Sequence, residues 1–336
     1  MNDIRVGIVG ATGYTALEVA RLLMQHPQAK LTAATSRADA GKPLAEVHAS
    51  LAGRCDVEIE SLDPKTFANK CDVAMCCLPH GASAETVHQL VDAGLRVVDF
   101  SADFRLSNVD LYEKWYQVKH PWPQRVGNTA YGMPEFFRDQ IREADVVANP
   151  GCYPTSAILP LAPLAEANLI DPNDIIVDSK TGVSGAGRSA KLATLYCEAS
   201  ESISAYAVGS HRHQPEIDDL VQRITGKPIK TLFTPHLTPM NRGILSTIYV
   251  RSTSDAAAVM DCWRQQFANS VFVNVVEHLP STGHVSGTNF VQMTARDAGD
   301  RVVLLCAIDN LAKGASGAAI QNMNVMFGLE DAVGLA

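Results

Sequence analysis

Nothing in these 336 residues approaches the roughly 20 consecutive apolar residues that a membrane-spanning helix needs. The opening Met1-Asn2-Asp3-Ile4-Arg5 leads straight into a strand-like run, with no apolar signal segment. Positive charge is also scarce: 28 Lys and Arg against 36 Asp and Glu leave a formal net charge of -8, with no basic footprint for a nucleic acid. An anionic ligand must therefore be captured by a local cluster of donors. No C-x-x-C pair, internal repeat, low-complexity segment or heptad array is present. The cysteines, Cys55, Cys71, Cys76, Cys77, Cys152, Cys197, Cys262 and Cys306, are scattered. That pattern fits reduced thiols of a cytoplasmic protein better than a disulfide framework. A hydrophobic fraction of 46% is enough for two ordinary domains with cores of their own.

Ile4–Val9, apolar but for Arg5 and Gly7, predicts a buried parallel strand, which Gly10-Ala11-Thr12-Gly13 breaks. Over 15–25 apolar residues recur at helical spacing, with Thr15 as a cap and Glu18 three residues on. His26-Pro27 ends that helix, and 31–35 reads as a second strand. Strand, glycine loop, helix and strand within 36 residues are the opening of a doubly wound sheet. The alternation continues with a strand over 72–78, a helix over 82–93 closed by Gly94, and strands over 96–99 and 146–149. The stretch 106–134, rich in aromatics, proline and glycine, reads as an excursion from the sheet.

After Pro150-Gly151-Cys152 the texture changes. A helix is predicted over 155–167 despite Pro160 and Pro163. Strands are predicted over 175–181, 231–234, 244–250, 271–276, 290–294 and 302–308, and helices over 216–224, 256–267 and 315–329. Consecutive strands imply an antiparallel or mixed sheet, able to offer one face to a second subunit. The expected architecture is α/β: a Rossmann-type dinucleotide-binding domain over 1–149, then an α+β catalytic and oligomerisation domain with a mixed sheet over 150–310.

Gly7-x-x-Gly10-x-x-Gly13 lies at the junction of strand and helix. Its backbone amides can approach a pyrophosphate, and a helix N-terminus favours the negative charge. The spacing departs from G-x-G-x-x-G, and a purely structural turn would look similar. The second strand ends in Ala34-Thr35-Ser36-Arg37. It lacks the carboxylate that usually holds the ribose hydroxyls of NAD, and Ser36 and Arg37 suit the 2′-phosphate of NADP instead.

Asn149-Pro150-Gly151-Cys152-Tyr153-Pro154-Thr155 places a cysteine after a strand and a sharp turn, close to a predicted helix start. Unpaired amides there stabilise a thiolate and can hold an oxyanion. Cysteines are also common as small buried hydrophobes, the reading that fits Cys76 and Cys77. Two further stretches can complete a site. His211-Arg212-His213-Gln214-Pro215-Glu216 offers two imidazoles, which would share a face if the piece were extended, and a carboxylate to orient one of them. A metal site finds no third ligand at a convincing spacing. Thr181-Gly182-Val183-Ser184-Gly185-Ala186-Gly187-Arg188 can wrap a phosphate, or can be a plain mobile loop. Arg105 and Arg242 are each able to hold an anionic substrate or an internal carboxylate.

A nicotinamide site, a thiolate, a histidine and anion-binding groups together suit one chemistry. A carbonyl carbon is taken onto sulfur as a thioester and exchanges hydride with the cofactor, with phosphate as the leaving group. At this point the chain resembles the N-acetyl-gamma-glutamyl-phosphate reductase family, within the semialdehyde dehydrogenases, over nearly its whole length. The resemblance is carried by Gly10-Ala11-Thr12-Gly13-Tyr14-Thr15, Ser101-Ala102-Asp103-Phe104-Arg105, Tyr131-Gly132-Met133-Pro134-Glu135 and the stretch around Cys152. It continues in Ser184-Gly185-Ala186-Gly187-Arg188, His211-Arg212-His213-Gln214-Pro215-Glu216, Asn241-Arg242-Gly243 and Asp309-Asn310-Leu311-x-Lys313-Gly314.

The resemblance implies NADPH-dependent reduction of N-acetylglutamyl 5-phosphate in arginine biosynthesis. Cys152 would be the nucleophile and His211, in preference to His213, the acid/base. The NADP(H) contacts it implies are Gly10, Thr12, Gly13, Tyr14, Thr15, Ser36, Arg37, Ser184, Gly185, Gly187 and Asn310. Those to the acyl-phosphate substrate are Arg105, Asn149, Arg188, His213 and Glu216. It further implies a final helix, within 311–336, that returns to the first domain, and a cytoplasmic homodimer or homotetramer. No metal, nucleic acid or membrane partner is expected. One departure is Ala16, where the family commonly has glycine. An aspartate-semialdehyde dehydrogenase, a paralogue acting on a carrier-linked acyl phosphate, and an NADP-binding regulator are the rival readings.

Overall fold

The computed structural model describes residues 3–335. Its first sheet comprises β1 (Ile4–Val9), β2 (Ala29–Thr35), β3 (Ile59–Glu60), β4 (Val73–Cys76), β5 (Arg96–Asp99), β6 (Ala130–Tyr131) and β7 (Val146–Ala148). They lie in the order β3-β2-β1-β4-β5-β7-β6, and every pairing is parallel. Val73, Ala74, Met75, Val97, Val98 and Val147 are fully buried, the near-continuous apolar reading of strands covered on both faces. Strand order reverses between β1 and β4, and the glycine loop leaves the C-terminal end of β1 at that switch point, where open α/β sheets bind ligands. The 106–134 excursion forms the helix Val109–Tyr116, which ends at Gln117 in the left-handed conformation (φ 57), and then β6 at the sheet edge.

By its contacts the chain divides into two compact units: one taking it up to Pro150 and again from Ala315 onward, the other Gly151–Gly314. The last helix, Gly317–Met326, belongs to the first unit and is buried all round. It packs against the helices Tyr14–Leu23 and Pro134–Glu143. Its polar side chains donate into the unit, while Asn322 Oδ1, also buried, accepts no hydrogen bond among the described residues. Asn322 Nδ2 donates to Gly132 O and Asn149 Oδ1, Asn324 Nδ2 donates to Val333 O, and Gln321 Nε2 donates to Asp331 Oδ2. These buried side-chain N–H donors fix a helix that apolar packing alone would leave free to rotate.

The second unit holds a mixed sheet of β8 (Ile170–Gly182), β9 (Ser204–Ala205), β10 (Thr231–Thr238), β11 (Ile244–Ser252), β12 (Val273–Val275), β13 (Val291–Ala298) and β14 (Arg301–Ile308). The order is β12-β13-β14-β11-β8-β10-β9, with β8/β10 and β12/β13 parallel and the other pairs antiparallel. The helix Cys152–Glu166 lies on one face of this sheet, against β8, β11 and β14. It starts three residues before the predicted position and carries Pro160 and Pro163 in its interior. Trp263 Nε1 donates to the Pro160 carbonyl at 2.9 Å, which fastens this helix to the helix Ala256–Gln266. Its Ser156 joins Ser246 and Ser179 in a chain of hydroxyls at 2.7 Å, so the polar groups beneath it are satisfied.

Candidate active site

In the first unit, Gly10 sits at φ +83, and a Cβ there would lie 2.8 Å from the carbonyl oxygen of Cys77. Both facts demand glycine. The amides of Gly10 and Ala11 donate to Thr35 O at 3.0 and 2.9 Å, tying the loop to the end of β2. Gly13 precedes the helix Tyr14–Leu23 in extended conformation (φ -82, ψ 169), and no side chain caps that helix. The cap expected at Thr15 is therefore absent: the turn delivers the chain one residue early, and Thr15 lies in the first helical turn. Uncapped first-turn amides are the feature that receives an anion. Thr12 and Tyr14 flank them, half-buried. Ala16 is buried in the same turn, and its methyl group is accommodated there. Ser36 follows β2, and Arg37 beside it is exposed and makes no ion pair among the described residues. The carboxylate nearest in register, Glu60, pairs with Thr35 across β2 and β3 and is engaged by Lys70 at 2.5 Å.

The remaining first-unit positions are buried. Arg105 Nη2 donates to Phe100 O at 2.7 Å. Asn149 Nδ2 donates to Ala315 O, and its Oδ1 accepts from Asn322, so both ends of the amide are engaged inside the unit. Asp103, in the same motif as Arg105, accepts from the amides of Gly81, Ser83 and Ala84 and so caps the helix Ala84–Asp92.

In the second unit Cys152 is the first residue of the helix Cys152–Glu166, half-buried, with Gly151 before it and no side-chain cap. Gly151 N–H donates to Glu216 Oε1 at 2.9 Å, which anchors the turn that presents the cysteine. Gly314 closes the other side. A Cβ there would lie 2.9 Å from Cys152 Cβ, so only glycine lets the 309–314 loop approach this closely. Gly314 went unremarked as a site residue in the sequence, although it ends the motif Asp309–Gly314. Burial pushes the thiols of Cys71 and Cys77 up to about 12, and those of Cys76 and Cys306 well above the usual range, so these four are inert apolar fillers.

His211 precedes the helix His213–Thr225. The helix begins at His213, so the His211–His213 piece turns and is not extended. The two rings still meet, with centroids 4.9 Å apart. The His211 ring is walled by the edges of Tyr153 (5.6 Å), Tyr206 (5.5 Å) and Phe233 (5.2 Å). Its Nδ1 accepts from His213 N–H at 3.2 Å. Burial, followed by the neighbouring Arg212 charge, lowers its pKa to about 4. Tyr206, a residue with no motif to mark it, touches Tyr153 hydroxyl to hydroxyl at 2.9 Å.

The glycine-rich loop after β8 is stitched to two others. Ser184 Oγ donates to Asn241 O at 2.6 Å and accepts from Asn310 Nδ2 at 3.0 Å, while Asn310 Oδ1 accepts from Gly243 N–H at 2.7 Å. Gly185, Gly187 and Arg188 are exposed. The choice left open for Arg242 falls to an internal carboxylate. Asp309, fully buried, takes Arg242 Nε at 2.9 Å and Nη2 at 3.1 Å, together with the amides of Gly287, Leu311 and Ala312. No group of three or more His, Cys, Asp or Glu able to hold a metal occurs among the described residues.

A doubly wound sheet with a glycine loop, joined to a mixed-sheet unit with a helix-start cysteine, agrees with two family models. The semialdehyde dehydrogenase NAD binding domain matches residues 5–144, and the semialdehyde dehydrogenase dimerisation domain matches 152–310. The chain belongs to the semialdehyde dehydrogenase family. Its branch is that of the N-acetyl-gamma-glutamyl-phosphate reductases. It is 65% identical to the protein of that name from Rhodopirellula baltica, with 99% of each chain covered. It is 48% identical to that of Citrifermentans bemidjiense, covering 99% of this chain and 98% of the relative. The crystal structure of aspartate semialdehyde dehydrogenase II from Vibrio cholerae, complexed with ASA, has the same fold. Its TM-score is 0.73 at 19% identity, over 98% of this chain and 99% of that one.

Proposed function

We propose that this chain reduces N-acetyl-L-glutamyl 5-phosphate to N-acetyl-L-glutamate 5-semialdehyde and phosphate with NADPH, through a thioester on Cys152, as a step of arginine biosynthesis. The observation that carries this is Cys152 at an uncapped helix start, held by Glu216, in a chain 65% identical to a reductase of that name.

The first unit fits NADP(H). Gly10 lets the loop lie against the Cys77 carbonyl where a Cβ would clash, the first-turn amides of Tyr14–Leu23 have no side-chain cap, and Arg37 is an exposed guanidinium with no ion pair among the described residues. The loop residues Gly10, Thr12, Gly13, Tyr14 and Thr15 would hold the pyrophosphate, and Ser36 and Arg37 the 2′-phosphate. When bound, the cofactor supplies a hydride.

The chain's own residues do the rest. The Cys152 thiolate, favoured by the helix start, attacks the acyl carbon. A C–S bond forms, the C–O bond to phosphate breaks, and phosphate leaves. Glu216 keeps the Gly151–Cys152 turn in place. Arg188, exposed beside Gly187, and His213 are the proposed contacts to the anionic substrate, and Arg105 and Asn149 shape the buried end of the first unit. Ser184 and Asn310 hold the loop that carries Gly185 and Gly187, and these four are the second unit's proposed contacts to the cofactor.

Assembly as a homo-oligomer in the cytoplasm is part of the proposal. It is supported by the half-exposed second face of the mixed sheet, where Ile176 and Tyr249 lie among Asp178, Thr234, His236 and Arg301. The description of the matching model as a dimerisation domain agrees with this. No helix among the described residues is long and apolar enough to cross a membrane.

The test is a panel of acyl phosphates with NADPH, run on wild type and Cys152→Ala. The N-acetylglutamyl compound should be preferred over aspartyl and carrier-linked aminoadipyl phosphates. Cys152→Ala should abolish turnover while keeping NADPH binding. Preference for another acyl group, or turnover without the thiol, would overturn the proposal.

A further inference from the structure

We infer that the stretch from Arg188 to Val208 is an arm covered by a second copy of this chain, and that this cover steadies the parts of the site at its two ends. The inference rests on the homo-oligomer reading above, and gives it a surface and a consequence. Among the described residues nine large apolar side chains are exposed, and five of them, Leu192, Leu195, Tyr196, Ile203 and Val208, fall between positions 192 and 208. Single exposed apolar residues are ordinary, whereas a cluster marks a surface that something covers. The unit itself does not cover this one. The arm's two short helices, Leu192–Thr194 and Tyr196–Ala199, contain no buried residue. The backbone amides of Thr194, Leu195, Glu198, Ala199 and Ser200 all donate to carbonyls within the arm, at Lys191, Leu192, Leu195 and Tyr196. Ordering such a stretch costs entropy that no burial inside the unit offsets.

The surface beside the arm indicates the occupant. The arm runs into β9, which pairs with β10 at the edge of the mixed sheet. On the sheet face away from the helix Cys152–Glu166, Leu232, Ile176, Tyr249 and Val303 stand in register across β10, β8, β11 and β14. Leu232 is exposed and the other three are half-buried. Charge on either side of this apolar row is balanced. Lys180, Arg251 and Arg301 are paired with Asp178, Asp174 and Asp300 at 2.6 to 2.8 Å. Such a surface gives a strongly acidic or basic partner nothing to hold. It is complementary to its own two-fold image, which is what an isologous contact requires. A standard interface takes about 800 Å² from each partner, and five apolar side chains of this exposure supply roughly 500 Å². The row beside the arm makes up the difference.

The arm's place in the chain links this contact to the site. It leaves the phosphate loop at Gly187 (φ 82) and returns at Tyr206, which Ala207 follows in the left-handed conformation (φ 46). At the near end Ser184 is fastened to Asn241 and Asn310. At the far end Tyr206 N–H donates to Pro235 O at 3.1 Å, and its hydroxyl meets that of Tyr153, the residue after Cys152, at 2.9 Å. Between these fixed points the arm is held by what covers it. A second copy that buries the arm steadies Gly187 and Arg188 on one side and the Tyr206–Tyr153 pair on the other.

The experiment is sedimentation and turnover of the full chain carrying Leu192→Glu with Tyr196→Glu. These side chains are 72% and 84% exposed, so the substitutions enter no core, and circular dichroism should match wild type. Wild type should assemble, and the variant should dissociate at least about tenfold more readily. Where the variant is monomeric, its kcat should be at least about tenfold lower than that of wild type. Its kcat per subunit should climb as it is concentrated, in step with the assembled fraction, which a merely local disturbance of the arm would not produce. Leu279→Glu places the same charge on an exposed apolar residue after β12, at the opposite edge of the sheet, and should change neither quantity. An arm variant that assembles like wild type, or a monomeric one with full kcat, overturns the inference and leaves the homo-oligomer reading in place. An equal loss with Leu279→Glu also overturns it. Wild type that stays monomeric at every concentration overturns both.

Discussion

Replacing Gly314 by alanine probes how tightly the cysteine is held. The new methyl carbon would lie 2.9 Å from Cys152 Cβ, 3.4 Å from Cys152 Cα and 3.2 Å from Asp309 O. Carbon atoms prefer about 3.5–4.0 Å, so one partner must retreat by roughly 0.6–1.1 Å. Neither is free to. The Asp309 carboxylate accepts from Arg242 and from three backbone amides, and Gly151, next to Cys152, is tied to Glu216. Overpacking of this kind costs about 1–3 kcal/mol, which for a unit of this size lowers the thermal midpoint by roughly 2–12 °C. A displacement near 1 Å at the nucleophile should cost about 100-fold in kcat. The affinity for NADPH should fall by a much smaller factor than kcat, because the glycine loop that holds the pyrophosphate belongs to the other unit and only the proposed Asn310 contact shares the displaced loop. Steady-state kinetics, NADPH titration and calorimetry on Gly314→Ala give all three quantities. Wild-type kcat with a wild-type midpoint would refute the close approach on which the reasoning rests.

Arg37→Ala should weaken NADPH binding by a tenfold or larger factor while sparing NADH, and an equal loss for both cofactors in a fluorescence titration would end the 2′-phosphate role. Asp99 is fully buried between the hydroxyls of Ser83 and Ser101, both at 2.5 Å. Burial, then the Asp103 charge, raises it from the usual 3.8 to about 6. A carboxyl raised in the folded state holds its proton more tightly than the unfolded chain does. Its influence on stability therefore becomes less favourable as pH rises from about 4 to 6. Asp99→Asn should gain on wild type across that window, by an amount on the order of 3 kcal/mol, in chemical denaturation at a series of pH values. A constant difference would contradict this. Arg242→Met strands the buried Asp309 carboxylate and should destabilise the second unit by about 3–5 kcal/mol, measured by urea unfolding. A change under 1 kcal/mol would count against the ion pair as the anchor of the loop.

Much of the fold was legible because both sheets write their periods plainly. β1, β4, β5 and β7 are short apolar runs set off by glycine, aspartate and helix-period stretches, and the edges of β8 and β11 alternate buried with half-exposed residues. The helix starts were harder to read. Both Thr15 and the 155–167 helix were misplaced by the same cause: the glycine before each helix arrives extended, so no polar side chain announces the first turn. The candidate site's local geometry was legible where it depends on residue type, as in the turn ahead of Cys152 and the left-handed backbone of Gly10. It was not where it depends on approach across many residues. Gly314 meets Cys152 162 positions earlier, and Tyr206 meets Tyr153 across 53, with no local period to disclose either. Arg242 shows the limit most clearly: its sequence context allowed a substrate anion or an internal carboxylate, and only the fold brings Asp309 to it.

The most direct measurement is mass spectrometry of the enzyme mixed with N-acetylglutamyl 5-phosphate without NADPH, quenched in acid and digested. The peptide containing Cys152 should gain the mass of one N-acetylglutamyl acyl group, removable with hydroxylamine, and Cys152→Ala should gain none. An unmodified Cys152 peptide from enzyme that turns over normally, or an acyl group found on another cysteine, would contradict the thioester on which the proposed reaction stands.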